Sequence, residues 1–409
     1  MITNHKLQAS LTNARFSPKP NNLIPEQRDQ TSFSSHATKQ KLPTGIIEGF
    51  FGTPWPEEVR LRYPAWLKAH NFSFYIYAPK NDAHLRRLWR EPYPQAYLDF
   101  LTRFHKSCHE AGITTGIGFS PLGATTSFAD EIPLFKKQLT IILEASHPGI
   151  LALLFDDIKI DSHSIAQRQN VLLQEAANIC QSRNIKLITC PTFYTPDPIL
   201  SKVFGAMPKN YYTQFLQGFS DPNSLDVFWT GPKVISPEYP LDHLIKTQEL
   251  LGRKPFIWDN YPVNDGRLAS SSLYLSPFAP REFLPTHTAG VALNPMKEAL
   301  LSQIPLASFH QSLIPLNKEV SSSTLASTTT EALKADFNAS NFFAFNQELL
   351  DLVTISYQEV LTHPLETWPD DTKEQILTKL KTIPYCQATQ ELIDFINGKY
   401  EFDPACLTG

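Results

Sequence analysis

The chain has 409 residues and is 42% apolar, enough for one large barrel domain with an appendage or for two to three average domains. Its 36 basic and 40 acidic residues give a net charge of −4, with no long run of like charge, which argues against a nucleic-acid surface. The five cysteines are scattered and have no CxxC spacing, so neither a disulfide framework nor a zinc ribbon is expected.

Residues 1–43 are rich in Asn, Gln, Ser, Lys and Pro and have no sustained period, which predicts a disordered leader. The sequence has no apolar core of a secretory signal and no run near the ~20 apolar residues of a membrane span. We therefore expect a cytoplasmic protein without membrane contact, although export that needs no N-terminal signal stays open.

From Thr44 onward, short apolar runs alternate with amphipathic helical patterns, as in βα units around a parallel sheet. Helices are predicted from Pro56, from Gln95, over 129–145 and over 164–182. Eight such units in roughly 260 residues match a (β/α)₈ TIM barrel, so the predicted fold class is α/β with the barrel over residues 44–310. The predicted strands are Gly45–Phe50, Phe74–Ala78, Thr114–Ser120, Ile150–Phe155, Lys186–Cys190, Asp226–Thr230, Pro255–Trp258 and Gly290–Leu293.

Residues 311–409 lack strand patterns and are predicted to form a small C-terminal all-α domain that follows the barrel. A Ser/Thr-rich linker is expected at Ser321–Thr324. The longest helical pattern carries Phe345, Leu349 and Val353 near a 3.6-residue period, so it has a face to bury. The predicted helices are Glu331–Asp336, Asn341–Leu361, Thr372–Lys381 and Gln387–Asn397.

The fourth predicted strand is an uninterrupted apolar run that ends in two adjacent acids, Asp156 and Asp157. Such a run is typical of a parallel strand that is covered on both faces. Active sites of α/β barrels lie at the carboxyl ends of their strands, where these acids fall. The alternative is that one acid caps the next helix and the other is solvated.

Polar and aromatic residues follow almost every predicted strand, so they fall on one rim of the barrel. Their Trp, Tyr, Asn, Asp and Lys content suits sugar recognition, because hydroxyls need polar partners and pyranose faces pack on aromatic rings. The segments are 48–55, 79–82, 191–194, 229–233, 258–265 and 294–295.

Five of these collinear segments resemble the family-84 glycoside hydrolases, which are β-N-acetylglucosaminidases that include protein O-GlcNAcase and bacterial hyaluronidase-like enzymes. The resemblance covers about Gly45 to Met296, whereas the C-terminal helices resemble the family only loosely. The segments are GIIEGFFGTPW from Gly45, YAPKND from Tyr77, LLFDDI from Leu153, WTGPKV from Trp229 and WDNYPVND from Trp258.

The resemblance implies a retaining exo-enzyme that removes terminal β-linked GlcNAc, plausibly from Ser or Thr of proteins. In this mechanism the 2-acetamido oxygen of the substrate attacks the anomeric carbon and forms an oxazoline. By position, Asp156 would orient and polarise the acetamido N–H while it stays ionised. Asp157 would protonate the glycosidic oxygen and then deprotonate the attacking water. Because neighbouring carboxylates do not both ionise cheaply, this division of roles is physically reasonable.

The resemblance also implies seven substrate-binding residues. Each has a structural alternative: a glycine that only turns the chain, a solvated lysine, a packed aromatic ring or a loop hydrogen bond. Gly49 would offer its backbone carbonyl to a sugar hydroxyl, and Lys80 would donate to hydroxyls near C3. Tyr194 would hydrogen-bond the acetamido oxygen, Trp258 would line the acetyl pocket, and Asn260 would hold the acetamido group or the acid. Asp265 and Asn294 would bind the O4 and O6 hydroxyls.

Two positions depart from the family pattern. Phe51 stands where the family commonly has Tyr, and Phe193 stands where an acid often precedes the tyrosine. Both departures bear on the substrate specificity and leave the expected reaction class unchanged.

Other functions are less favoured by the sequence. A non-catalytic GlcNAc-binding barrel would keep the pocket, but the intact acid pair argues against it. A divalent-metal hydrolase would need further clustered ligands, and His105 with His109 lacks an HExxH motif and a third ligand. We expect no metal and no cofactor. The expected partner is a GlcNAc-bearing glycoprotein or glycan, and the C-terminal helices could pair two chains into a homodimer.

Overall fold

The computed structural model describes residues 41–124, 128–158, 164–315, 342–400 and 402–408. The predicted leader, apart from residues 41–43, lies outside the described residues. The predicted linker at Ser321–Thr324 and the predicted helix Glu331–Asp336 lie outside them as well.

Eight parallel strands close into a barrel in which each strand pairs with the next and the eighth pairs with the first. This confirms the predicted (β/α)₈ fold; β5 and β8 have the predicted bounds, and the ends of the other strands differ by at most two residues. The strands are β1 Thr44–Glu48, β2 Phe74–Tyr77, β3 Thr114–Phe119, β4 Ile150–Leu154, β5 Lys186–Cys190, β6 Asp226–Trp229, β7 Phe256–Asp259 and β8 Gly290–Leu293.

All five residues of β4 are buried, as expected for a strand between the barrel interior and an outer helical layer. The four predicted barrel helices are present and begin within a residue of the predicted positions. The helices through residue 312 are α1 Glu57–Ala69, α2 Gln95–Ala111, α3 Phe128–Ser146, α4 Ile165–Arg183, α5 Pro198–Phe204, α6 Tyr211–Phe215, α7 Leu241–Leu251, α8 Leu284–His287, α9 Gln303–Ala307 and α10 Phe309–Ser312.

The predicted helix Asn341–Leu361 is wrong in its start and its continuity. The chain is extended at Asn346, whose side chain accepts the N–H of Leu349 at 2.8 Å and so caps a helix that starts later. A second break falls at Tyr357, where φ is −129°. The segments are α11 Gln347–Asp351, a π-helical turn Leu352–Ser356, α12 Gln358–Thr362, a 3₁₀ turn Leu365–Thr367, α13 Thr372–Leu380 and α14 Gln387–Ile396.

The C-terminal helices pack against the barrel, and Leu42–Gly409 form one compact unit. Glu391 of α14 accepts the backbone N–H groups of Leu300 and Leu301 at 3.1 and 2.7 Å, so this helix is tied to the loop after β8. The predicted boundary between residues 310 and 311 stays a prediction. Among the described residues, no helix is long and apolar enough to cross a membrane.

Candidate active site

A single cavity at the carboxyl ends of the strands is lined by all nine residues that the sequence assigned to the site. Its volume is about 500 Å³ when the open solvent at its mouth is included. The residues are Gly49, Lys80, Asp156, Asp157, Tyr194, Trp258, Asn260, Asp265 and Asn294.

The two acids reach the same cavity because the chain turns sharply after β4. Asp157 has φ of +58°, in the left-handed region that Asp adopts more readily than most residues. Successive side chains of an extended strand point to opposite faces, so without this turn the carboxylates would diverge. Lys80 contacts both acids: its Nζ donates to Oδ2 of Asp156 and lies 3.4 Å from Oδ2 of Asp157.

The charges of these three groups are strongly coupled, because their side chains are only 4–8% exposed. Burial raises the pKa of Asp157, the neighbouring charge of Asp156 raises it further, and Lys80 opposes both. Burial alone would lower the pKa of Lys80, but the two carboxylates outweigh it and raise that pKa. The arrangement therefore favours a proton on Asp157 and a positive charge on Lys80.

Asp156 keeps one oxygen for a ligand. Its Oδ2 accepts from Lys80, whereas its buried Oδ1 has no hydrogen-bond partner among the residues that the structure describes. A buried acceptor without a donor costs free energy, on the order of 1–3 kcal/mol. A bound molecule that brings an N–H or O–H group to this oxygen would recover that cost.

Gly49 and Trp258 form one wall of the cavity. A Cβ atom at Gly49 would lie 2.3 Å from Cζ2 of Trp258, so only glycine allows the indole to approach the backbone here. The indole Nε1 donates to Oδ1 of Asn260 at 2.9 Å, which fixes the ring plane. Gly49 thus has a packing role in addition to its place in the cavity.

Asn260 and Asn294 form a hydrogen-bonded chain across the wall. Nδ2 of Asn294 donates to Oδ1 of Asn260 at 2.9 Å, and the N–H of Gly49 donates to Oδ1 of Asn294 at 3.2 Å. Nδ2 of Asn260 donates to the carbonyl of Val234 at 2.9 Å. Asn260 therefore holds its neighbours in place as well as lining the cavity.

Asp265 links the loops after β7 and β1. Its Oδ2 accepts the N–H of Phe51 at 2.8 Å, and burial raises the pKa of Asp265 to about 6. The Phe51 ring lines the cavity and lies near two cations, 5.8 Å from Nζ of Lys80 and 5.2 Å from the Arg86 guanidinium.

Tyr194 lies opposite this wall, after β5. Burial raises the pKa of its phenol well above the ordinary value, and the charge of Asp157 adds to the rise, so Tyr194 is a neutral hydrogen-bonding group. Phe193 points away from the cavity and packs edge-on against Tyr211, with ring centroids 5.1 Å apart. This departure from the family pattern thus fills a hydrophobic cluster behind the site.

Several cavity residues were not assigned from the sequence. Thr230 lies in one of the predicted strand-end segments, but a threonine in a sequence does not by itself indicate a binding residue. Cys406 and Thr408 come from the far C-terminal region, where no sequence pattern indicated that the chain lies close to the cavity. The additional lining residues are Phe51, Cys190, Thr230, Val234, Ile235, Val263, Cys406 and Thr408. Within the described ranges, no three His, Cys, Asp or Glu side chains cluster as metal ligands.

A pair of carboxylates in one cavity is the arrangement that most glycoside hydrolases use, and here it follows β4 of a closed (β/α)₈ barrel. The family model described as beta-N-acetylglucosaminidase (NAGidase) matches residues 44–346, so the chain belongs to that family. This confirms the resemblance seen in the sequence.

Curated relatives are the proteins named Protein O-GlcNAcase of Rattus norvegicus and of Mus musculus. The rat protein is 30% identical over 263 residues and the mouse protein 30% over 265, in each case 61% of this chain and 28% of the relative. The chain thus spans less than a third of the length of these relatives.

Solved structures show the same fold. A mutant of the O-GlcNAc hydrolase of Thermobaculum terrenum is 26% identical, with a TM-score of 0.63 over 87% of this chain and 80% of that one. CpGH84B is 22% identical, with a TM-score of 0.62 over 90% of this chain and 65% of that one, and supports the fold alone.

Proposed function

We propose that this protein is a retaining exo-β-N-acetylglucosaminidase that hydrolyses terminal β-linked GlcNAc through an oxazoline intermediate. The observation that carries the proposal is the acid pair. Asp156 and Asp157 share one cavity, Lys80 contacts both, and burial raises the pKa of Asp157. An ionised orienter beside a protonated acid is the combination that substrate assistance needs.

In the first step, Asp156 accepts the acetamido N–H on Oδ1 and aligns the acetamido oxygen with the anomeric carbon. That oxygen bonds to C1 while the bond from C1 to the leaving oxygen breaks, and Asp157 gives its proton to the leaving oxygen. In the second step, water attacks C1 and gives a proton to Asp157, while the bond from C1 to the acetamido oxygen breaks and the acetamido group is restored. Two displacements at C1 retain the β configuration.

The other cavity residues hold the sugar in this proposal. Tyr194, as a neutral phenol, donates to the acetamido oxygen, and Trp258 packs against the acetyl group. Lys80 binds hydroxyls near C3, and Asp265 with Asn294 binds O4 and O6. Gly49 offers its carbonyl to a hydroxyl, and Asn260 keeps Trp258 and Asn294 in position.

The proposed substrate is GlcNAc linked to Ser or Thr of proteins, supported by the names of the rodent relatives and of the Thermobaculum hydrolase. A glycan polymer or fragment is the alternative substrate. The expected homodimer, the cytoplasmic location and the division at residues 310 and 311 stay predictions.

The test is hydrolysis of aryl β-GlcNAc compared with aryl β-GalNAc and aryl β-glucoside, with and without a thiazoline that mimics the oxazoline. We expect turnover of the β-GlcNAc substrate, inhibition by the thiazoline and no turnover of the glucoside, which lacks the acetamido nucleophile. Binding of GlcNAc without hydrolysis would instead identify a non-catalytic barrel protein.

A further inference from the structure

A segment from the C-terminal region enters the candidate active site. We call residues 402–408 the strap. Two of its side chains, Cys406 and Thr408, line the cavity together with the acid pair, and Cys406 is only 7% exposed. Leu407 between them is 46% exposed, so the strap alternates between cavity and solvent.

The chain is fixed to the loop after β8 at Tyr400, just before the strap, and to the loop after β7 at Phe402, the first residue of the strap. Nζ of Lys297 donates to the carbonyl of Tyr400 at 2.6 Å, and the Arg267 guanidinium lies 5.0 Å from the centre of the Phe402 ring. A turn follows, in which the N–H of Cys406 donates to the carbonyl of Asp403 at 2.9 Å.

The end of the strap reaches the other side of the barrel mouth. Cys406 lies close to Lys297, after β8, and the Thr408 side chain lies close enough to the phenol of Tyr194, after β5, to lower the pKa of that phenol as a hydrogen-bond donor. In a closed eight-stranded barrel, β5 and β8 stand on well-separated parts of the rim. The strap therefore lies between two walls of the cavity.

Thr408 has the chemistry of a leaving group in the proposed reaction. It is a threonine hydroxyl on a polypeptide, held by Tyr194, and Asp157 is the charge that most raises the pKa of that phenol. Cleavage of GlcNAc from a protein threonine releases the same group beside Asp157. A glycosylated polypeptide and the strap would thus need the same space.

We propose that the strap is an internal peptide that occupies the part of the cavity beside Tyr194, and that a GlcNAc-bearing polypeptide displaces it in order to bind. This inference rests on the proposed function. Any GlcNAc substrate must replace Thr408 at Tyr194, but only a polypeptide substrate must also move the rest of the strap, so the strap selects between substrates by the size of the group attached to the sugar.

The first test compares kinetics of Thr408→Val, Thr408→Ser and the wild type on a GlcNAc-threonine peptide and on aryl β-GlcNAc. Thr408→Val removes the contact with Tyr194 and should lower KM for the glycopeptide about two- to tenfold, the range of one neutral hydrogen bond. KM for the aryl substrate should change less, and Thr408→Ser should behave as the wild type.

Phe402→Leu, which loses the stack with Arg267, should shift the KM ratio in the same direction, and Thr382→Val, outside the cavity, should not.

The second test does not depend on activity. Peptide-resolved alkylation by iodoacetamide should modify Cys406 and Cys190 faster in Thr408→Val than in the wild type, with buried Cys180 as the internal reference. An unchanged KM ratio together with unchanged alkylation overturns the strap proposal. If the wild type hydrolyses no GlcNAc substrate, the proposed function is wrong, and displacement of the strap by a glycosylated polypeptide is then wrong as well. The alkylation rates would still show whether the strap covers the cavity.

Discussion

Asp157 holds a backbone conformation that most residues avoid. The left-handed region costs an L residue roughly 1–2 kcal/mol, less for Asp and Asn. In return, both carboxylates face one cavity and one lysine. An Asn substitution tolerates the same φ, so it removes the acid without disturbing the turn.

Asp157→Asn should slow hydrolysis of substrates with poor leaving groups by about 10²–10⁴-fold, because the proton donor is lost. Activated aryl glycosides need little protonation and should be affected much less. Steady-state kinetics on both substrate types measure the difference, and equal losses on both would rule out the acid role.

Asp156→Asn should lower kcat by about 10²-fold, the size of effect seen when one preorganised polar group is removed from a reacting centre. The neutral amide polarises the acetamido N–H less, and it also removes the negative partner of Lys80. Thiazoline affinity should fall in parallel, whereas unchanged kinetics would contradict the assignment.

The pH profile reports the proton on Asp157. Burial raises the pKa of Asp157 and Lys80 opposes this rise, so Lys80→Met should move the alkaline limb of kcat/KM to higher pH. In Asp157→Asn the same limb should disappear. A limb that Lys80→Met moves to lower pH would show that another group controls it.

At the scale of elements, the loop after β1 is shaped by close packing. A Cβ at residue 49 would overlap the Trp258 ring at 2.3 Å, so Gly49→Ala should cost about 1–3 kcal/mol of stability and raise KM. The double variant Gly49→Ala with Trp258→Leu should recover stability, since the overlap is gone. Thermal unfolding of the single and double variants checks this, and additive losses would count against it.

The strands were predictable because each is a short apolar run with polar residues at its end. The C-terminal helices were less predictable than the strands. The apolar period across 341–361 suggested one helix, but Asn346 caps a later start and Tyr357 interrupts the chain. Helical periodicity reports which residues are buried, whereas breaks depend on local hydrogen bonds that periodicity does not encode.

At the scale of the whole molecule, Glu391 joins α14 to the loop after β8. Burial raises its pKa to about 8 and that of Glu298 to about 7. The folded state therefore binds protons that the unfolded chain releases. The stability that the two protonated glutamates contribute is complete below the pKa of Glu in the unfolded chain and is lost as pH rises through about 8. Glu391→Gln should reduce the fall in Tm between pH 5 and 9, whereas the exposed Glu374→Gln should leave it unchanged.

The candidate site was predictable where its residues follow strands, because a parallel barrel brings all strand ends to one rim. For that reason Lys80, Asp157 and Asn294 fall in one cavity despite their separation in sequence. Cys406 and Thr408 were not predictable, since tertiary packing brings a segment with no strand or motif to the cavity. The contacts of Lys80 with both acids were not predictable either, because they depend on how the loops after β2 and β4 pack together.

In the proposed mechanism the acetamido group of the substrate is the nucleophile, and no enzyme carboxylate forms the bond to C1. The direct measurement is kcat for aryl GlcNAc substrates whose N-acetyl group carries zero, one, two or three fluorine atoms. Fluorine withdraws electrons from the acetamido oxygen, so log kcat should fall steadily with each atom. A kcat that does not change across the series would exclude the acetamido group as the nucleophile.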